Sequence, residues 1–265
     1  MGGLTPAALD RALDAAADAA RAAGTIALDY YHGGFEVTIK SDHTPVTQAD
    51  REAEQAIVGM LGSAFPDIGV LGEEFGAQGA REPQGGRERR WIIDPIDGTK
   101  NFVRRIPIWA TLIGLEVDGE IVAGVIHNPA AGELYTARRG GGARRNGEVI
   151  HVSDVSDLGA AHLIHAGLNI LRKGKSWDGF LRLVDATERQ RGFGDYAGYG
   201  LVADGRAEIY AEAGLKPWDL AACKIVVEEA GGRFTDFDGR PTIYTGTALA
   251  TNGRLHDTVL ALLRG

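Results

Sequence analysis

Residues 91–102 read WIIDPIDGTKNF, an apolar run that ends at a proline with an acid on either side. Trp91, Ile92 and Ile93 are bulky and β-prone, so the run is expected to form a buried strand. Pro95 has no N–H to add to a sheet, which leaves Asp94 at the strand's end and Asp97 beyond the turn. Gly98 and Thr99 come next: a residue without Cβ lets backbone N–H groups approach an anion, and a hydroxyl stands beside them. Carboxylates, amides and a hydroxyl on one turn suit a metal-bound phosphate ester. Taken alone, D-x-x-D-G-T also describes an ordinary tight turn with two solvated aspartates, so the rest of the chain has to decide.

The chain has 265 residues, 44% hydrophobic and 24% charged, which suits one or two globular domains with a substantial core. Its 28 basic against 36 acidic residues give a formal charge of −8, a balance that disfavours gripping nucleic acid or an anionic membrane. An anionic substrate would need cations to approach such a surface. The single Cys223 excludes an intramolecular disulfide and a thiolate metal cluster, and it suits a reducing compartment. The start, MGGLTPAALD, lacks a basic segment followed by an apolar one, and no run of about 18 apolar residues occurs, so a cytoplasmic location is expected. The histidines are scattered without metal-ligand spacing, which argues against a zinc centre.

Thr5 and Pro6 open an amphipathic helix with Leu9, Leu13, Ala16, Ala20, Ala23, Ala27 and Tyr30 on its apolar side, ended by Gly33-Gly34. FEVTIK (35–40) alternates like a strand. A second helix begins at Thr47, with Ala49, Ala53, Ile57 and Met60 facing inward. Residues 76–90, rich in Gly, Arg, Glu and Gln, read as a mobile surface excursion. Asp118-Gly119 and Asn146-Gly147 mark hairpin reversals in the β-rich stretch that follows. After residue 152 strands near 161–166, 190–193, 206–211 and 232–237 alternate with helices at 177–186, 195–204 and 218–230, the rhythm of an α/β unit, and a helix near 254–263 closes the chain. The expected division is 1–152, an α+β half, and 153–265, an α/β half.

Two further motifs change the standing of the first. LGEEFG occupies 71–76, and WDLAACKIVVEEAGG runs from Trp218 to Gly232. Glutamate pair, D-P-I-D-G-T-x-N-F and W-D-x-A-A before a helix ending in E-A-G-G occur in the order that resembles the inositol monophosphatase family of magnesium-dependent, lithium-sensitive phosphatases. The resemblance covers about Lys40 to Asn252. It implies a layered α/β/α/β/α sandwich with the active site where the halves meet, and a homodimer.

By this resemblance Glu73, Asp94 and the carbonyl of Ile96 hold a first Mg²⁺, Asp94, Asp97 and Asp219 hold a second, and Asp50 and Glu73 flank a third. Glu73 and Thr99 would orient the attacking water or accept its proton, and amides near Gly98 and Thr99 would bind the phosphate. Each acid also has a structural reading. Thr47 to Asp50 has the form of a capping box. Asp219 lies at a helix start, where an acid complements the macrodipole. Glu73 and Glu74 could be exposed loop charges. Lys40 resembles a family lysine near the third ion but also reads as an exposed loop residue, and His43, His127 and His151 receive no role.

For the substrate, GFGDY (192–196) puts a carboxylate, Asp195, where inositol-directed members carry small neutral or hydroxyl residues. EAGLKPWD (212–219) and NFVRRIPIWATLIG (101–114) resemble the histidinol-phosphate phosphatase branch. Histidinol carries an ammonium and an imidazole, which acids such as Asp195 and Glu212 would recognise. Asp195 also reads as a helix N-cap, and Glu212 discriminates poorly, since a glutamate there also suits a hydroxyl. The alternatives are an inositol-1-phosphate or sugar-phosphate phosphatase and, in another class, a non-catalytic regulator that binds RNA polymerase or RNA.

Overall fold

The computed structural model describes residues 4–39, 45–79 and 88–264. In the first half, α1 (Pro6–Gly33), β1 (Val37–Ile39), β2 (Pro45–Thr47) and α2 (Gln48–Ala64) precede β3 (Gly69–Gly72), β4 (Gly76–Gln78), β5 (Arg89–Asp97) and α3 (Thr99–Val103). A meander follows of β6 (Ala110–Val117), β7 (Glu120–Asn128), β8 (Glu133–Arg138), β9 (Gly142–Arg145) and β10 (Glu148–Ile150). The second half comprises β11 (His162–His165), α4 (Leu168–Leu171), α5 (Trp177–Ala186), β12 (Arg189–Arg191), α6 (Asp195–Ala203), β13 (Ile209–Ala213), α7 (Pro217–Glu229), β14 (Arg233–Thr235), β15 (Thr247–Thr251) and α8 (His256–Arg264).

Two sheets carry the architecture. The larger has eight strands in the order β10-β9-β8-β7-β6-β5-β3-β4, the smaller five in the order β12-β11-β13-β15-β14. Their central strands are buried on both faces, so successive side chains feed different layers. In β5, Trp91 and Ile93 pack with α1 and α2, whereas Ile92 faces α6 and α7. In β13, Tyr210 joins that middle layer, and Ile209 and Ala211 pack with α5 and α8. The result is the α/β/α/β/α sandwich.

Helix α7 sits against the large sheet where two strands have no side chain. A Cβ on Gly114 would lie 2.6 Å from Ala221 Cβ, and one on Gly124 would lie 2.5 Å from Ile225 Cγ2 and 3.0 Å from the Ala222 backbone. Close approach of a helix to a sheet needs such gaps.

Several expectations shift in detail. Tyr31 rather than Tyr30 is buried on α1, and Leu61 rather than Met60 on α2. All three residues of β1 are exposed, and Lys40 lies outside the described residues. The expected excursion over 76–90 is corrected at both ends: Gly76–Gln78 pairs with β3, and Arg89 and Arg90 belong to β5, while 80–87 lie outside the described residues. Strand β15, flanked by β13 and β14 in its sheet, has no counterpart in the sequence reading, because TALAT is short, built largely of small residues and buried over most of its length, leaving no alternation to see. Asp118 and Gly119 both take positive φ, 55° and 81°, and form the expected hairpin turn.

Gly124→Ala should force α7 off the sheet, because the nearest atoms include backbone. A loss of about 1–3 kcal/mol is expected, typical of overpacking, and denaturant unfolding will measure it.

Candidate active site

Strand β5 ends in a β-bulge: Asp94 pairs with Leu112 and Asp97 with Ala110, so three steps on β5 match two on β6. Residues three apart on a regular strand point to opposite faces; the extra residue brings both acids to the face that meets α7. Pro95 turns its carbonyl to Thr111 Oγ1, 2.9 Å away, and Asp94 Oδ1 accepts from Ile96 N at 3.0 Å. Beneath the turn Ile96, Phe102 and Trp109 pack with Tyr31 and Ala27 of α1. Asp219, in the first turn of α7, accepts from Lys216 N at 2.7 Å. Asp94, Asp97 and Asp219 each offer an oxygen within 4.8 Å of the others, and among the described residues no other group of three such side chains does so.

These acids line a cavity of about 440 Å³. Glu73, Ile96, Gly98 and Thr99 share its wall with them, and so do Asp195 and Glu212. Asp50 does not line it. Its Oδ2 accepts from Thr47 N and Oγ1 at 2.8 and 2.7 Å, a capping box for α2, and its Oδ1 lies 3.5 Å from Thr99 Oγ1. Thr99 Oγ1 also donates to Ile96 O at 3.1 Å. Asp195 is the first residue of α6, whose N-cap is Gly194, so its side chain is not the cap. It reaches across to Asn101, whose Nδ2 donates to Asp195 Oδ2 at 2.7 Å, while the next amide, Tyr196 N, donates to Asp97 Oδ2 at 2.6 Å. Gly98, at φ 82°, leaves open the space beside Asp195 Oδ2, which a Cβ would approach to 3.3 Å. Glu212 Oε2 accepts from Tyr210 OH at 2.7 Å and Tyr199 OH at 3.3 Å.

Crowding so many acids out of water raises their pKa values. Burial first, then the charges of Glu73, Asp97 and Asp219, holds Asp94 well above the usual carboxylate range. Burial and the charges of Asp195 and Asp219 do the same to Asp97. Burial takes Asp50 and Asp219 each to about 7 and Glu212 to about 8, in each case against hydrogen bonds that lower it. Burial lifts Asp195 to about 6, with Lys100 pulling it back. An all-oxygen set of this kind, mutually repelling and partly desolvated, has the chemistry of a hard-cation site.

Residues 8–265 match the Inositol monophosphatase family. The chain belongs to this family. It is 43% identical to a histidinol-phosphatase of Streptomyces coelicolor over 94% of this chain and 92% of that protein. With an inositol-1-monophosphatase of Mesorhizobium japonicum it shares 37% identity, over 87% and 86% of the two chains. The solved structure of the extragenic suppressor protein suhB from Bartonella henselae superposes with a TM-score of 0.88 at 33% identity, over 96% of this chain and 98% of that one.

Membership of the inositol monophosphatase family makes the chain a phosphatase, a hydrolase of phosphate esters. Several residues around this family's site had no role in the sequence reading. Asn101 was part of the quoted motif, but its partner lies 94 positions away. Tyr199 and Tyr210 fall within an expected helix and an expected strand and drew no notice there, yet their hydroxyls converge on Glu212. Lys216 and Trp218 line the cavity from the start of α7. Glu54, on α2, is fully buried and accepts two backbone hydrogen bonds from the turn after Glu73.

Without cations the raised carboxyl groups should show in the pH dependence of stability. Folded Asp50, Asp219 and Glu212 keep protons that the unfolded chain has already released, so their contribution is lost as pH rises through about 7 to 8. Buried His256, lowered to about 4, acts the other way only below its ordinary 6.5. The melting temperature in excess chelator should therefore fall as pH rises from 6.5 through about 8, and Mg²⁺ should remove most of that fall. A flat profile in chelator would count against the clustered burial.

Proposed function

We propose that this phosphatase hydrolyses L-histidinol phosphate to L-histidinol and phosphate, in the cytoplasm and in histidine biosynthesis, as a Mg²⁺-dependent, lithium-sensitive homodimer. The observation that carries the reading is a cavity lined by two sets of acids: Asp94, Asp97 and Asp219, clustered within 4.8 Å, and Asp195, beside Gly98, together with Glu212. The first set suits cations and the second suits a cationic alcohol. The 43% identity to the Streptomyces histidinol-phosphatase supports the same substrate.

In this reading Glu73, Asp94 and the Ile96 carbonyl hold one Mg²⁺, Asp94, Asp97 and Asp219 a second, and Asp50, through water, and Glu73 flank a third. Bound Mg²⁺ supplies Lewis acidity toward phosphate oxygens and lowers the pKa of water. Thr99 Oγ1, held between Ile96 O and Asp50 Oδ1, orients the attacking water as a hydrogen-bond acceptor, and the Glu73 carboxylate orients it from its own side and takes its proton. The amides of Gly98 and Thr99 bind phosphate oxygens. Asn101 fixes one oxygen of Asp195 and the two tyrosines fix one of Glu212, so each acid turns its remaining lone pairs toward the ammonium or imidazolium. No nucleic acid is required as partner.

A second reading, an inositol-1-phosphate or sugar-phosphate phosphatase, draws on Glu212: pushed up to about 8 by burial, it can stay protonated and donate to a neutral hydroxyl. The Mesorhizobium relative supports that alternative. A regulator of RNA polymerase or RNA, the remaining class, is disfavoured by the charge of −8 and by the full set of acids.

Activity should vanish on chelation, return with Mg²⁺ and be suppressed by lithium; activity that survives exhaustive chelation would sink the metal reading. Asp94→Asn should lower turnover by several orders of magnitude without unfolding the protein.

Purified enzyme should show a higher kcat/KM on L-histidinol phosphate than on inositol 1-phosphate. Asp195→Asn keeps the bond to Asn101 but removes the charge. It should lower efficiency on histidinol phosphate by roughly ten- to a hundredfold, the effect of losing a charge-assisted contact, with little change on the polyol ester. An equal loss on both substrates would make Asp195 structural.

A further inference from the structure

Helix α2 buries Ala49, Ala53, Ile57 and Leu61 against its neighbours, and on the same helix it also buries two acids. Asp50 has its capping box. Glu54, one turn further on, sits where an apolar residue would serve packing equally well, and an acid with no exposed surface is costly there unless its oxygens are satisfied. Its Oε2 accepts from Glu74 N at 2.9 Å and its Oε1 from Phe75 N at 3.1 Å. Two successive amides turned the same way form a small anion-accepting nest, and a carboxylate can accept from both at once.

The turn so held carries Glu73. Glu73 N donates to Ile93 O at 3.2 Å, tying the turn to β5 one residue before Asp94, while Glu54 ties the following two amides to α2. Gly72 completes the fit, since a Cβ at that position would lie 2.0 Å from Glu54 Oε1: the carboxylate occupies the space of the missing side chain.

We infer that Glu54 is a positioning residue for the cation site: it clamps the Glu73–Phe75 turn to α2 and so sets the Glu73 carboxylate at a fixed place relative to Asp94. This rests on the reading of Glu73 and Asp94 as Mg²⁺ ligands. Groups that orient a ligand rather than touch the ion act chiefly on metal affinity.

Glu54→Gln keeps the size of the side chain but turns an NH₂ group toward one of the two backbone donors. Gly72→Ala disturbs the same contact from the opposite side and leaves residue 54 intact. Isothermal titration calorimetry of the full chain with Mg²⁺ in the absence of substrate, together with Mg²⁺ activation curves, reads the effect. Both variants should raise the Mg²⁺ dissociation and activation constants by roughly tenfold or more, a larger change than any they make in kcat at saturating Mg²⁺. If one variant fails to fold, the other carries the test. Variants that lose melting temperature or kcat while their Mg²⁺ constants stay at the parental value would overturn the inference. A parent protein that neither binds nor needs Mg²⁺ would instead defeat the metal reading itself, and this inference with it.

Discussion

Helix α7 lies between the two sheets at a distance set by two absent side chains. With Gly114 and Gly124 beneath it, Ala221, Ala222 and Ile225 come down onto the backbone of β6 and β7, and the helix is buried on several sides at once. Its first turn therefore has little freedom, and the packing presents Asp219 to the end of β5, where its carboxyl meets that of Asp94. A helix seated further out would leave the same three acids too far apart to share a ligand.

The same placement creates an electrostatic problem. Asp94 and Asp97 are brought to one face by the bulge, Asp219 arrives with α7, and Asp195 and Glu212 approach from the second sheet's side of the cavity. Each is raised by burial, and all but Asp195 also by neighbouring charges, and the fold answers with directed hydrogen bonds: Tyr196 N on Asp97, Ile96 N on Asp94, Lys216 N on Asp219, two tyrosine hydroxyls on Glu212. These donors fix where the oxygens point but do not cancel the charge. The arrangement is one that favours cations, and it explains why a protein of net charge −8 can receive an anionic ester.

Backbone donors also link the walls of the cavity. Tyr196 N bonds Asp97 while the adjacent Asp195 carboxylate is bonded by Asn101, so the start of α6 is stitched to the middle and to the far end of the D-P-I-D-G-T-x-N segment. In the proposed reading, the side that would meet the alcohol and the side that would meet the phosphate are thus held in register through one turn.

The sequence by itself determined most of the elements and most of the residue types at the site. Strand β5, the two hairpins and the helices of the second half follow from periodicity, turn residues and caps, which are local, and the three motifs identify the family because their residues are contiguous. It left Asp50, Asp195 and Asp219 each with two readings, since a carboxylate at a helix start looks the same whether it caps, ligates or recognises a substrate. Tertiary structure shows what each one touches: Asp50 caps α2 and lies 3.5 Å from Thr99 Oγ1, Asp195 does not cap α6 but meets Asn101, and Asp219 accepts from Lys216 N at the start of α7 and meets β5. It also supplied what no local pattern holds, the small-residue strand β15, the tyrosines behind Glu212 and the Glu54 clamp. Those depend on groups far apart in the chain, and burial, hydrogen-bond geometry and the fit of α7 over two glycines exist only once the layers are packed.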